Sequence, residues 1–475
     1  MTARDLVSLS PFIVMAAAPV VIMLAIAFYR KYSLAFLLSL TGILIAFTSL
    51  LYLPDTPLRI SSLVILDDFA IFYIGLILAA SFCVTLLSSD YLKGRRGNTE
   101  EFHVLLPLAA LGASVLVVSC HFASFFLGLE ILSVSLYGLV AYTRGDKGIE
   151  AGVKYLVLAA ASAAFLLFGM ALVYAETGTM EFSLVASAMA PAGTDNRFFL
   201  GGLAMIFIGI GFKLALAPFH MWTPDVFQGA PAPVTAFIAT VSKGSMFALL
   251  LRYFAGVDIH SYGSLFAAIS FIAIISMFTG NLLALFQENV KRILAYSSIA
   301  HLGYLLVAFL ASGALRLTAV SFYLVAYFIT TIGAFGVVTV LSGKERDADS
   351  LCDYRGLFRE RPWLALFLTA VFFSLAGIPL TAGFIGKFYV VAAGAGSALW
   401  LLVIALVINS VIGLFYYLRI IIVMYEPPNQ EKSVPAVPIP LTGSVVLVVL
   451  AVLLIWLGVY PAPLIEVIYS MTAGI

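Results

Sequence analysis

Charge is what this sequence has least of. Only 10% of its 475 residues are Asp, Glu, Lys or Arg, where a soluble globular chain carries about a quarter. Hydrophobic residues make up 63%, which excludes a soluble domain. Cysteine is scarce as well. Cys83, Cys120 and Cys352 lie far apart with no CxxC pair, so they cannot by themselves hold an iron–sulfur cluster or a zinc ion. Neither GxGxxG nor GxxxxGK[ST] occurs, so a nucleotide site is not expected. A net charge of +1 gives no reason to expect a nucleic-acid partner. The first ten residues have no net positive charge, and the basic pair Arg30–Lys31 follows the first apolar run instead of preceding it. A cleaved signal peptide has the opposite order, so the N-terminus is expected outside.

What the chain has in abundance is long apolar runs. They fall near 10–29, 33–53, 66–89, 104–120, 122–142, 152–175, 198–228, 233–255, 263–286, 292–312, 317–342, 363–395, 399–425 and 438–460. Runs of this length read as transmembrane helices. The fold class expected is therefore an all-α polytopic membrane protein with about 14 transmembrane helices. The two longest runs, 198–228 and 363–395, have Pro218 and Pro379 near their middles. Each is read as one discontinuous helix, with two short re-entrant segments as the alternative.

Loop charge tests this count. With the loops numbered from an outside N-terminus, sixteen of the 25 Lys+Arg fall on inside segments, from Arg30 to Lys432. Five fall outside: Arg4, Arg59, Arg197, Arg252 and Arg316. The bias follows the positive-inside rule and puts both termini outside.

A weak internal repeat is visible. Five spans begin near residue 104 and five more near 263, and each set has its broken helix fourth. An odd number of spans inverts the second copy, giving two inverted five-helix repeats. Secondary transporters are commonly built so, with the ion site at the breaks. The expected division is a three-helix segment over 1–103, a first repeat over 104–258, a second over 259–428 and a C-terminal helix within 429–475.

Five ionisable groups lie well inside apolar spans: Glu130, Lys154, Lys213, Lys243 and Lys387. A charge at bilayer depth costs about 2.5–3.5 kcal/mol on insertion scales. Desolvation disfavours a buried ammonium and a nearby carboxylate restores it. A buried lysine with a movable acidic partner can therefore load and release a proton. Plainer readings stand beside this one. Lys154 is near a membrane face and can snorkel. Glu130 and Lys213 can form a static ion pair. His220 beside the first break can donate to freed carbonyls, and His301 can be a packing histidine. His103 and His121 read as interfacial, Asp67–Asp68 as helix-start carboxylates, and Asp225 as a cap near the inner face.

The segment HMWTPDVFQGAPAPVTAF (220–237), with Lys213 seven residues before His220 and Lys243 beyond it, resembles the antiporter-like membrane subunits of respiratory complex I. The likeness covers essentially the whole chain, and its VFQGAPAPV wording sets it apart from the multisubunit cation/proton antiporters. The resemblance implies that Glu130 pairs with Lys213, that Lys243 is the central lysine and that Lys387 is the terminal one. It places Lys154 near the pair and His301 on a polar axis joining the halves. It also implies a proton relay without redox chemistry in this chain, inside a bacterial cell membrane. No cofactor is expected here. FMN, iron–sulfur clusters and quinone are expected in partner subunits of the membrane and peripheral arms, and lipids and protons are the other expected partners.

Overall fold

Each apolar run of the sequence holds helix in the computed structural model, interrupted at 215–221 and 377–381; the structure describes residues 3–53, 57–93, 95, 98–143, 145–189, 197–255, 259–313, 315–428 and 440–472. The basic residues Arg96, Arg144 and Lys432 lie outside the described residues, as does the side chain of Arg4. Helices are what hydrocarbon permits, because they satisfy every backbone group internally.

The N-terminal segment holds α1 (Ala3–Ser8), α2 (Ser10–Phe28), α3 (Tyr32–Ser49), a two-stranded ribbon (Leu58–Arg59 with Ile65–Leu66) and α4 (Asp68–Leu92). The first five-span unit follows: α5 (Phe102–Val118), α6 (Phe122–Val140), α7 (Asp146–Thr177), the short α8 (Phe182–Met189), the pair α9 (Arg197–Leu214) and α10 (Trp222–Gly229), then α11 (Ala232–Phe237) running through a π-helical turn into α12 (Lys243–Tyr253). The second unit comprises α13 (Gly263–Leu285), α14 (Val290–Leu310), α15 (Leu315–Leu341), the short α16 (Leu357–Glu360), the pair α17 (Pro362–Ala376) and α18 (Ala382–Gly396), and α19 (Trp400–Tyr425). The chain then continues through α20 (Leu441–Val459) and α21 (Ala462–Thr472). Among the described residues twelve helices are long and apolar enough to cross a membrane. The shorter α5 and the interrupted α17–α18 complete the fourteen crossings expected. The short helix α21 was not expected as a separate element.

The two units pack alike. In each, the first helix lies against the second and the fifth, and the third lies against the second and the broken fourth: α5 on α6 and α12, α7 on α6 and α9, then α13 on α14 and α19, α15 on α14, α17 and α18. Both first–second crossings depend on a glycine. A Cβ on Gly112 would sit 2.4 Å from the Leu132 nitrogen, and one on Gly280 would sit 2.6 Å from the Ala300 nitrogen. Small residues give membrane helices the close approach that dispersion requires. The matched pattern is that of a duplicated unit with a broken helix fourth in each copy.

Ion pairs keep within the two faces into which loop charge sorts the chain, and do not say which face is inside. Arg30 pairs with Glu100 and Glu101, Arg95 and Lys291 with Asp347, Arg292 with Asp225, and Arg355 with Glu426, all within the set assigned inside. Arg59 pairs with Glu181 and Arg252 with Asp67, both within the set assigned outside. Asp67 also starts α4 as expected, accepting from the Ala70 nitrogen at 2.8 Å, while Arg252 holds both its oxygens at 2.7 and 2.8 Å. His121 caps α6 through Nδ1. His103 differs from the interfacial reading. It is fully buried in the first turn of α5, against the rings of Tyr32, Phe36 and Phe102.

The spans through 232–253, 290–310 and 315–341 are buried over all or nearly all of their length, whereas α2 and α3 are mostly exposed. The centre of the bundle is thus built from one helix of the first unit and two of the second. Those three helices carry Lys243, Ser298, His301, Tyr323 and Tyr327.

Candidate functional site: a buried polar line

Lys213 sits in the last turn of α9, where the helix dipole favours a cation, and it is 3% exposed. The expected contact with Glu130 is not made. The Lys213 Nζ donates to the Tyr155 hydroxyl at 2.9 Å, and among the described residues it has no carboxylate within 4.0 Å. The reason is topological. Helix α7 packs against both α6, which carries Glu130, and α9, and Tyr155 of α7 takes the position beside the lysine. Glu130 stays within electrostatic reach of Lys213 and Tyr155. Tyr155 is itself held between Trp222 and Tyr137, at ring-centroid distances of 4.9 and 5.5 Å.

The first break follows. Residues 215–221 leave the helix around Pro218, with Ala215 at φ 60°. Its freed backbone groups find side chains. The Ala217 nitrogen donates to Ser276 Oγ at 2.9 Å, and Trp222 Nε1 donates to the Phe212 carbonyl at 2.9 Å. His220 is buried within this break.

Lys243 opens α12 directly after the π turn Ile238–Ser242 and is 1% exposed. Single π turns inside α-helices gather at functional positions. The Lys243 Nζ donates to Ser298 Oγ at 2.6 Å, and the Tyr327 hydroxyl donates to the same oxygen at 2.7 Å. One turn further along α14, His301 Nδ1 hydrogen-bonds the Tyr323 hydroxyl at 2.7 Å and Nε2 that of Tyr417 at 3.3 Å; Tyr417 in turn bonds Ser297. Beyond it, Asn281 links Tyr304, Asn409 and Tyr416 at 2.9, 3.2 and 3.0 Å.

Lys387 closes the line at the second break, around Pro379. Its Nζ donates to the Ala376 carbonyl, the last residue of α17, at 2.8 Å and to Ser410 Oγ at 2.7 Å, and it lies 5.1 Å from the Tyr304 ring centre. An ammonium on the carbonyl end of a half-helix is the favourable electrostatic arrangement. Lys154 does not join the line. Its side chain is 43% exposed and pairs with Glu150 and Asp225 at 2.7 and 2.8 Å, and Asp225 also holds Arg292.

Sequence reasoning therefore found the cations and missed most of the polar groups along the line between them: Tyr155, Tyr304, Tyr323, Tyr327, Tyr417, Asn281, Asn409 and Ser410. One signal was available. Tyr323 and Tyr327 are four apart, so they share one face of α15. Among the described residues no group of His, Cys, Asp and Glu is gathered as a metal ion would require. Replacing Tyr155 by Phe removes the only hydrogen-bond acceptor that Lys213 has among the described residues, while keeping the ring packing. We expect Tyr155→Phe to lower turnover about three- to tenfold with normal assembly, since a buried charge loses its partner. Turnover per assembled complex checks this.

A duplicated helical unit with paired breaks and ionisable groups between them defines an ion-translocating membrane protein of the antiporter type. A family model described as NADH:quinone oxidoreductase/Mrp antiporter, TM, matches residues 119–413, and the chain belongs to that family. It is 48% identical to NADH-quinone oxidoreductase subunit N of Ectopseudomonas mendocina over 99% of this chain and 97% of the relative. It is 52% identical to the subunit N of Nitrosospira multiformis, over 99% and 97%. Among solved structures, a chain of respiratory complex I from Thermus thermophilus with bound aureothin superimposes with TM-score 0.83 at 32% identity, covering 96% of this chain and 98% of that one. A chain of the Mrp complex from Dietzia sp. matches with TM-score 0.85 at 18% identity, covering 100% and 97%, and shows the shared fold.

Proposed function

We propose that this chain is a proton-translocating membrane-arm subunit of an NADH–quinone oxidoreductase. One observation carries the reading: Lys213, Lys243 and Lys387 are each buried, and each donates to a neutral hydroxyl instead of a carboxylate. A static structural charge is normally neutralised by an opposite one. Ammonium groups held by hydroxyls can pass a proton on without breaking an ion pair. The likeness to subunit N over nearly the full length supports the assignment to a respiratory complex, in preference to a free-standing cation/proton antiporter.

In the proposed cycle Glu130 favours the protonated Lys213 across Tyr155. When that influence weakens, the proton moves past the first break at Pro218 and His220 to Lys243. It then passes by Ser298 and the His301–Tyr323–Tyr417 cluster to Lys387, and leaves at the second break. Lys154 and Asp225 contribute to the inner-face field. The division at 104–258 and 259–428 makes the first unit the inward-facing half and the second the outward-facing half. Both termini lie outside the bacterial inner membrane. FMN, iron–sulfur clusters and quinone belong to partner subunits of the membrane and peripheral arms, and this chain transfers no electrons.

The test is NADH-driven acidification in liposomes holding the assembled complex. Lys213→Ala is expected to abolish most of the proton uptake at normal subunit content. Undiminished pumping by an assembled Lys213→Ala complex rejects the relay, leaving a scaffold role.

A further inference from the structure

We propose that Asp347, in the inner-face loop after α15, is a positioning residue that sets the register of the Lys243 site. This rests on the reading of Lys243 as a relay group. The Lys243 cluster is assembled from three helices: Lys243 on the α11–α12 span, Ser298 on α14 and Tyr327 on α15. All three meet at their inner ends around one carboxylate: α14 through Lys291, the α11 end through the bond from Lys291 to Ala230, and α15 through the loop that carries Asp347. Lys291, in the first turn of α14 and 1% exposed, donates to Asp347 Oδ2 at 2.8 Å and to the carbonyl of Ala230 at 2.6 Å. Ala230 is the first of the two residues between α10 and α11. Asp347 itself follows α15 by six residues.

The loop bearing Asp347 is stitched to the start of α14. The Val290 nitrogen donates to the Asp349 carbonyl at 2.6 Å, and Asn289 Nδ2 to the Asp349 carboxylate at 2.6 Å. A fourth helix closes the cluster. At the end of α4 the Tyr91 hydroxyl donates to Asp347 Oδ1 at 2.6 Å, and Arg95 to the same oxygen at 3.1 Å. Arg95 also donates to the Gly343 carbonyl at 2.8 Å and stacks on the Tyr91 ring. Burial alone would raise the Asp347 carboxyl, but Lys291, Tyr91 and Arg95 together hold it below its usual range. The carboxylate is charged and satisfied.

The geometry has a direct consequence. Ser298 lies seven residues, about two turns, beyond Lys291. Any rotation or slide of α14 at its inner end is carried along a stiff helix to the Lys243–Ser298 bond. Without the Asp347 charge, Lys291 loses its anion and its hold on Ala230 weakens. The α11 end is then free to shift against α14.

The experiment uses the assembled complex, with subunit content measured for each variant. Asp347→Asn is expected to lower turnover at least about fivefold, and Asp347→Glu to restore about half or more of it, since breaking one side of a buried pair is costly and the charge is the essential part. A double-mutant cycle with Tyr327→Phe supplies the readout that general destabilisation does not move. If Asp347 acts through the Lys243 cluster, the double variant is no slower than the worse single one, within about twofold. Effects that multiply overturn the proposal, as does Asp347→Asn turnover within about twofold of the unmodified complex. Should Asp347→Asn fail to assemble, Tyr91→Phe decides. A loss of about two- to fivefold that does not multiply with Tyr327→Phe supports the proposal, and unchanged turnover overturns it. Lys243→Ala run alongside separates the two readings. Normal pumping by that variant rejects the relay itself, whereas impaired pumping with normal Asp347→Asn rejects only the positioning role.

Discussion

Replacing Lys243 by Ala is expected to cut turnover at least about tenfold, with the complex still assembled and no less stable. Both halves of that expectation follow from the burial of this side chain. Lys243 is 1% exposed, and among the described residues its one hydrogen-bond partner is Ser298, which also accepts from Tyr327. A charged group in a helix centre costs about 2.5–3.5 kcal/mol on insertion scales, so its removal relieves the fold. Ser298 and Tyr327 keep their own hydrogen bond. What disappears is the titratable group between the first break and His301. Lys243→Arg sharpens the test, because a guanidinium keeps the charge and does not deprotonate in proteins. The relay account expects Lys243→Arg to be as slow as Lys243→Ala. An active Lys243→Arg complex would mean that the site needs a cation and not a proton carrier. Turnover and pumped protons per assembled complex, with its melting temperature, give all three readouts.

The second large effect is expected at Gly383, in the first turn of α18. A Cβ built there would lie 1.9 Å from the Ser374 carbonyl oxygen and 2.7 Å from Ser374 Oγ. The Gly383 nitrogen donates to that same Oγ at 2.9 Å. The two half-helices of the second break therefore touch backbone to backbone at this residue. Lys387 lies one turn further along α18, reaching back to the Ala376 carbonyl. Gly383→Ala pushes α18 off α17 and takes Lys387 with it. Overpacking of this kind costs about 1–3 kcal/mol. We expect Gly383→Ala to lower the melting temperature and to reduce turnover at least about fivefold in what assembles, and Gly383→Val to prevent assembly. Near-normal turnover for Gly383→Ala would show that the closeness of the halves is not needed.

These two residues also show what could be read in advance. Lys243 announced itself, because a lysine in an apolar run is costly and visible. Pro218 and Pro379 likewise marked both breaks, since proline removes a helical hydrogen bond. Helical runs of about 20 apolar residues made the fourteen crossings legible. Gly383 was silent, because a glycine needed for close approach looks like any other glycine in a membrane helix. The π turn before Lys243 was silent too, as its sequence IATVS has no distinguishing feature. The Glu130–Lys213 pairing illustrates a different limit. Two opposite charges in spans on either side of α7 invite a bridge, yet the order of packing puts α7 and Tyr155 beside the lysine. Tyrosines supply most of the hydroxyls that hold the line, yet in an apolar helix a tyrosine looks the same whether it packs or bonds. Lys154 looked like a fourth relay lysine and sits instead among Glu150, Asp225 and the nearby Arg292. Spacing along one helix cannot reveal which neighbouring helix end brings a carboxylate.

The central claim is that protons cross through the buried line from Lys213 to Lys387. The most direct test is the number of protons translocated per NADH oxidised by assembled complex in liposomes, comparing the unmodified chain with the double variant Lys213→Ala/Lys243→Ala. The account predicts a lower proton yield, or turnover too slow to sustain one, at unchanged subunit content. An unchanged yield at normal turnover from that double variant would contradict it.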